Sequence, residues 1–499
     1  MNFVVLMLGC WKNLTGEIQA VEASRDIEVL HRQTAGPISW LDLSVRAGAA
    51  HDPIGKEGLS YLTAKMLMSG GSVLHSPIEM DQLFSNIGVV PTVHVDMEQV
   101  SFRLKYLQED SDVALGLMTE LLTQPAWDEE QFHRIKQETI EYLQTDVYGN
   151  DERVALVAWQ NWLYEGHPYG HPLQGRAGVL DSITLQDVQR FFRTHYLRSG
   201  MVLGVASNQE QADQNVVHLR RMLTEASAAD IYRGATPKKV PEVTSSQLLV
   251  IEKNTESTSI VLGHTTELTR SHPDWAAMVI AINALGAHRQ SSGRLYRELR
   301  TERGLNYGDY AYLEAYRQAS GSKFLDSGVA RIQNPFYIWL RPVSTDNGPF
   351  ALRATLALLD EFIREGLSET EFTTVQQYLS GQVALWGKDG GRRLGWAVES
   401  ALMGYSDPLQ QLRLDLQAVT FAQVNAAIKK HLHTDRLKIL VVTNNSSEFL
   451  NSIEEDSSLI VYDEQVVDPM SIQGREDATW SEYPVDVQFF QRSSEELFQ

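Results

Sequence analysis

GKEGLSYLTAKML, residues 55–67, is a turn running into a helix. Gly55 and Gly58 mark the turn, and from Leu59 the apolar residues recur at helical spacing until Gly70 and Gly71 end the run. Upstream, SWLDLSVRAGA (39–49) partly alternates and predicts a strand. Downstream, SPIEMDQLFSNIG (76–88) predicts a second helix, and VVPTVHVDMEQVSFRLKYL (89–107) predicts two strands. Helical periodicity returns from Asp110 to about Leu143 and from Asp151 to Tyr164. HPYGHPLQG (167–175) then reads as a loop, TLQDVQRFFRTHYL as a helix capped by Thr184, and MVLGVAS (201–207) as a strand.

The same grammar recurs further on. QLLVIEKN and TSIVLGHTT predict strands, PDWAAMVIAINALG a helix, and LYRELRTERG a helix entering the strand LNYGDYAYLEAY. A long helical tract follows from Pro349 to Trp386. TLQDVQRFFRTHYLRSGMVLGVASN also aligns with TFAQVNAAIKKHLHTDRLKILVVTNN, matching Thr184 to Thr420, Val188 to Val424 and His195 to His431. A period near 236 residues is far too long for a solenoid and indicates a duplicated domain. The expected fold class is therefore α+β: two homologous domains, each a mostly antiparallel sheet with helices packed on one face. The expected divisions are an N-terminal segment 1–24, a domain 25–225, a linker 226–246, a second domain 247–465 and an acidic tail 466–499. The tail reads as disordered, or as a segment docking on a partner through Trp480, Tyr483, Phe489 and Phe490.

Composition narrows the partners. The chain has 499 residues with 64 acidic against 43 basic side chains, a net charge of -21 that repels nucleic acid and anionic lipid. No apolar run is long enough to cross a bilayer as a helix. MNFVVLMLGC ends on Gly9 and the lone Cys10, like a bacterial lipoprotein cleavage box, which predicts a periplasmic, lipid-anchored protein of the cell envelope. The apolar part covers only Phe3 to Gly9 and no basic residue precedes it, so an ordinary apolar N-terminus is the other reading. One cysteine excludes an intramolecular disulfide.

The motifs GKEGLSYLTAKMLMSGG, HPYGHPLQG, SITLQDVQRFFRTHY, SSGRLYRELRTERGLNYGDYAY and GLSETEFTTVQQYLSGQVAL, in this order, resemble the pitrilysin-like inverzincin metallopeptidases over about residues 25–465. That family includes the mitochondrial processing peptidases, respiratory-complex core subunits and bacterial heterodimeric zinc peptidases, and it implies a domain pair forming half of a clam-shell chamber. In its active members the first helix carries H-x-x-E-H, with two histidines and a downstream glutamate as zinc ligands and the motif glutamate as base. Here those positions hold Tyr61, Ala64 and Lys65, and the third ligand position falls on Glu141. Zinc requires converging N, S or O donors, and an ammonium at the centre repels it. The expectation is an ion pair between Lys65 and Glu141 in place of metal, the alternative being that both face solvent.

Other histidines form no recognisable zinc motif. His167 and His171 are separated by Pro168 and Gly170, so they do not share a helix face, and His431 and His433 lie near a helix end. In ELRTERGLNY, Gly304 is a natural helix terminator, which puts Arg300 in the last turn and Tyr307 at the start of a strand. The resemblance implies an Arg/Tyr pair that binds substrate backbone and oxyanion. The plainer reading is that Arg300 complements a helix dipole and Tyr307 packs on a sheet. Pro91, ahead of Thr92, blunts the edge strand with which a peptide would pair, and His288 and Arg289 are expected to narrow the cleft or to alter substrate choice. Taken together, the resemblance implies a non-catalytic, substrate-binding subunit without metal of its own. Its partner would be a homologous H-x-x-E-H subunit carrying zinc, and its ligand a peptide. The alternative is a structural scaffold subunit.

Overall fold

The computed structural model describes residues 27–208, 217, 219–221, 223–225, 240, 242–316, 325–405, 408–462 and 466–493. The N-terminal segment 1–24 and most of the linker 226–246 lie outside these residues.

Each domain is built on one sheet. The first contains β1 (Glu28–Gln33), β2 (Ile38–Val45), β3 (Thr92–Val95), β4 (Val100–Leu107) and β5 (Met201–Ser207) in the order β1-β5-β2-β4-β3. The second contains β6 (Gln247–Glu252), β7 (Ser257–Thr266), β8 (Asn306–Tyr312), β9 (Asn334–Ser344), β10 (Lys438–Thr443) and β11 (Gln488–Ser493) in the order β11-β6-β10-β7-β9-β8. Without β11 the two orders are the same, and in each the first strand pairs parallel to the last while the others run antiparallel. The duplication extends to the caps. Thr184 and Thr420 each accept from the backbone N–H three residues on, and each closes a capping box with Asp187 or Gln423.

A large apolar core lies between each sheet and its own helices. The opposite face is covered by a helix lent by the other domain. Asp151–Leu163 of the first domain packs on the second sheet through Ala155, Trp159 and Trp162 among Val261, Trp339 and Val442, and Trp159 Nε1 donates to Lys438 O at 2.7 Å. Gly390–Met403 of the second domain places Leu394, Val398 and Leu402 against Val202 and Ala206 of the first sheet. The buried pair Arg331–Asp96, at 2.8 Å, joins the two halves. Period alone does not reveal this exchange, and no element is assigned to Gly390–Met403 from the sequence.

The tail departs from both readings of it. Ile472–Ser481 is a helix, β11 adds to the second sheet beside β6, and Trp480 and Phe490 pack on the chain itself, Phe490 with its ring 6.3 Å from Trp162. The tract from Pro349 to Trp386 is two helices, Gly348–Glu365 and Glu369–Trp386, broken where Gly366 turns left-handed (φ 74°) and Ser368 caps the second. Strand β9 is absent from the sequence reading because NPFYIWLRPVS carries two prolines. Pro342 falls where the β7–β9 register slips, a bulge that removes the need for its missing N–H.

Candidate functional site

The Leu59–Ser69 helix begins where a buried loop holds it. The Asp52 carboxylate accepts from the backbone N–H of Gly58 at 2.6 Å and of Ser60 at 2.7 Å, satisfying donors that a helix start leaves open. Gly58 has φ 102°, and a Cβ on Gly175 of the HPYGHPLQG loop would stand 2.1 Å from Glu57 O, so loop and turn meet backbone to backbone. His167 and His171 serve this loop. His167 Nδ1 accepts from Tyr169 N at 3.1 Å, and both rings are buried.

The helix presents no metal-binding set. Burial pushes the Tyr61 phenol up to about 12, so it stays protonated. Ala64 is 0 % exposed and belongs to the apolar core. The Lys65 ammonium lies 5.6 Å from the centre of the Tyr61 ring one turn earlier, while Glu141 is exposed near the end of Glu129–Tyr142. Among the described residues no ion pair joins Lys65 to Glu141, so the expected replacement of a metal by that pair is corrected. The helix places the ammonium along its own face, where the aromatic ring takes up its charge. A phenol, a buried methyl and an ammonium do not fit zinc.

Among the described residues one group of potential ligands converges: His272 and Asp274, just ahead of the Trp275–Gly286 helix, and His431, at the end of Phe421–His431. Its carboxylate is already engaged. Asp274 Oδ2 is 2.7 Å from both Lys430 Nζ and His431 Nε2, which ties the Phe421–His431 helix to the start of Trp275–Gly286. His433 stacks on the buried His264 ring at 3.8 Å. These histidines hold helix ends to the sheet.

The second domain brings Arg300 and Tyr307 together. Tyr296–Thr301 is a π-helix, a geometry frequent at functional sites, and Gly304 turns the chain at φ 63° with its N–H on Arg300 O at 2.9 Å. The chain then enters β8 at the edge of the sheet, with Tyr307 opposite the bulged Pro342. Arg300 Nη1 donates to Tyr307 O at 2.7 Å, and the guanidinium carbon lies 4.2 Å from the Tyr307 ring and 4.8 Å from that of Tyr296. Tyr307 is 69 % exposed. The bond to Tyr307 O uses one of the five N–H groups of a guanidinium. The arrangement thus offers a phenol and a guanidinium side by side at an open sheet edge. Two residues on along the same strand face, burial pushes the Asp309 carboxyl up to about 7 against the pull of Asn306 and the Arg300 charge.

Neighbouring motifs meet here too. Arg294, at the start of this segment, grips Glu371 of GLSETEF through two bonds of 2.8 Å. His288 lines a cavity with Tyr312 and Tyr316. Its ring is buried and hydrogen-bonded at 2.8 Å to both Tyr312 and Tyr316, while Arg289 beside it is exposed with φ 54°. In the first domain Pro91 stands just ahead of β3, the equivalent edge strand.

Residues 28–176 match the model of the insulinase family (peptidase family M16), and residues 182–379 match that of the peptidase M16 inactive domain. The chain is 22% identical over 401 residues to an "uncharacterized zinc protease YmxG" of Bacillus subtilis, covering 80% of this chain and 91% of that protein. It is 21% identical over 452 residues to a "non-peptidase homolog YmxG" of Helicobacter pylori, covering 89% and 99%. Among solved structures, a peptidase M16 inactive domain from Pseudomonas fluorescens superposes with a TM-score of 0.72 at 22% identity, over 85% of this chain and 97% of that one. A protease from Helicobacter pylori superposes with a TM-score of 0.75 at 14% identity, over 85% and 99%. Relatives described as a protease and as a non-peptidase are equally similar, so overall likeness does not decide activity. The duplicated sheets, the motif order and both family models establish that the chain belongs to the M16 peptidase family.

Proposed function

We propose that this chain is a non-catalytic, substrate-binding subunit that completes the active site of a homologous H-x-x-E-H zinc peptidase. The observation that carries the reading is the contrast within one molecule. Arg300 and Tyr307 are assembled at an exposed sheet edge, while the helix position used for zinc in the family holds Tyr61, Ala64 and Lys65. In this reading the partner supplies metal and base. Arg300 and Tyr307 bind the peptide backbone and donate to the carbonyl oxygen on which charge develops. The chain alone cleaves nothing.

The test is reconstitution. The chain is mixed with a homologous H-x-x-E-H subunit from the same organism, and Arg300→Ala and Tyr307→Phe are introduced into this chain only. Loss of peptide cleavage with the complex still formed supports the role, and undiminished cleavage removes it. A scaffold subunit is the second reading, favoured by exposed Val73 and Leu74 after the Leu59–Ser69 helix and exposed Ile78 at the start of the next helix, Pro77–Asn86. It predicts that both substitutions are silent.

A further inference from the structure

The two sheets differ by one strand, and the extra strand belongs to the domain that carries Arg300 and Tyr307. The segment supplying it also grips their turn. Arg303, three residues beyond Arg300, has a side chain with 0% exposure. Its Nε donates to Asp477 at 2.7 Å and its Nη2 to Glu476 at 2.9 Å, both on the Ile472–Ser481 helix, while Nη1 donates to Glu298 O at 2.8 Å. The Trp480 ring covers the guanidinium carbon at 3.9 Å. Beside it, Gln473 Nε2 donates to Glu302 O at 2.9 Å and to the Tyr462 hydroxyl at 3.0 Å, and that hydroxyl donates to Asp477 at 2.7 Å.

The other end of the segment is fixed independently. Buried Arg353 donates to Tyr483 O at 2.6 Å, and β11 pairs with β6 along its whole length. A buried guanidinium needs compensating charge, and two of the three carboxylates around Arg303 come from the C-terminal helix. The contacts at Glu298, Glu302 and Arg303 bracket Arg300 on both sides. Among the described residues, the matching edge of the first domain, which lacks the Arg/Tyr pair, has no added strand beside its β1.

We propose that residues 466–493 brace the turn 298–308 and that Arg303 is the positioning residue through which they hold Arg300 and Tyr307 in place. The structural part stands by itself, and its consequence for cleavage rests on the function proposed above.

The experiment measures amide hydrogen exchange of the full chain carrying Asp477→Asn or Trp480→Ala, with Trp480→Phe as the conservative control. The expected result is about tenfold faster exchange in 298–308, unchanged exchange in the Leu59–Ser69 helix, and recovery with Trp480→Phe. Exchange in 298–308 that stays unchanged while residues 472–493 open overturns the brace. If the stronger substitutions prevent folding, Gln473→Ala, which deletes the bond to Glu302 O, is judged by the same criterion. In the reconstituted complex the same variants are expected to lower kcat about tenfold with KM within about twofold, the signature of misplaced transition-state groups. Faster exchange without any change in kcat leaves the brace standing and counts against the function proposed for Arg300 and Tyr307.

Discussion

The edge at β3 and the edge at β8 occupy the same position in two copies of one sheet, yet they have kept opposite things. Beside β3, the Leu59–Ser69 helix commits these positions to core and aromatic contacts: Ala64 is sealed and Lys65 lies over Tyr61. Beside β8, a π-helix and a left-handed glycine keep two polar groups exposed and adjacent, at some cost in regular structure. A helix without metal ligands at these positions is free to pack well. On the function proposed above, the irregular backbone and the exposed phenol are kept for a ligand outside the chain.

The largest effect is expected at β8. Arg300→Ala or Tyr307→Phe is expected to lower partner-supported kcat by about 10²–10³-fold, the usual loss for one oxyanion donor, with little change in the thermal stability of the chain. The assay is steady-state cleavage of a peptide by the mixed subunits, and a stability loss equal to the activity loss would make the pair merely structural.

At the other edge the sensitivity should reverse. Ala64→Glu would bury an unpaired carboxylate in a filled core and is expected to cost about 3 kcal/mol, read by chemical denaturation. A neutral substitution would mean that a site still opens there.

A smaller effect concerns Asp309. Because burial raises its folded value to about 7, above the unfolded value, the folded state holds the extra proton between about pH 4 and 7. Stability from this group is therefore greatest below the unfolded value and falls as pH rises through 7. Asp309→Asn should flatten that fall, seen as a smaller drop in melting temperature between pH 5 and pH 8.

The least effect is expected for Lys65→Ala. A partly exposed ammonium over a ring contributes about 0.5–1 kcal/mol, far below the roughly 3–5 kcal/mol lost when a buried ion pair is broken, so denaturation distinguishes the two.

Much of the fold was legible because periodicity, caps and turns act over short distances. Thr184 and Thr420 announce their helices within three residues, and Gly304 announces its turn. What escaped was what depends on distant partners. The Gly390–Met403 helix gains its stability from a sheet in the other domain, and β9 tolerates its prolines only because a bulge receives Pro342. The tail reads as disordered, or as a segment docking on a partner, because its aromatics have no local period and their partners lie far back in the chain. At the site, the spacing from Arg300 to Tyr307 suggested convergence, whereas the pairing of Lys65 with Glu141 failed because helix rotation points the ammonium along its own helix.

Side-chain chemistry by itself determined that the first helix cannot hold zinc, since no folding turns an alanine methyl and an ammonium into ligands. It also determined the duplication and the candidate pair. Only the tertiary structure decided which helix covers which sheet, where Lys65 rests, and that Arg303 meets Asp477 across 174 residues of chain. Such a contact leaves no trace in local sequence because its energy arises only when burial strips water from both charges, and burial is a property of the assembled fold.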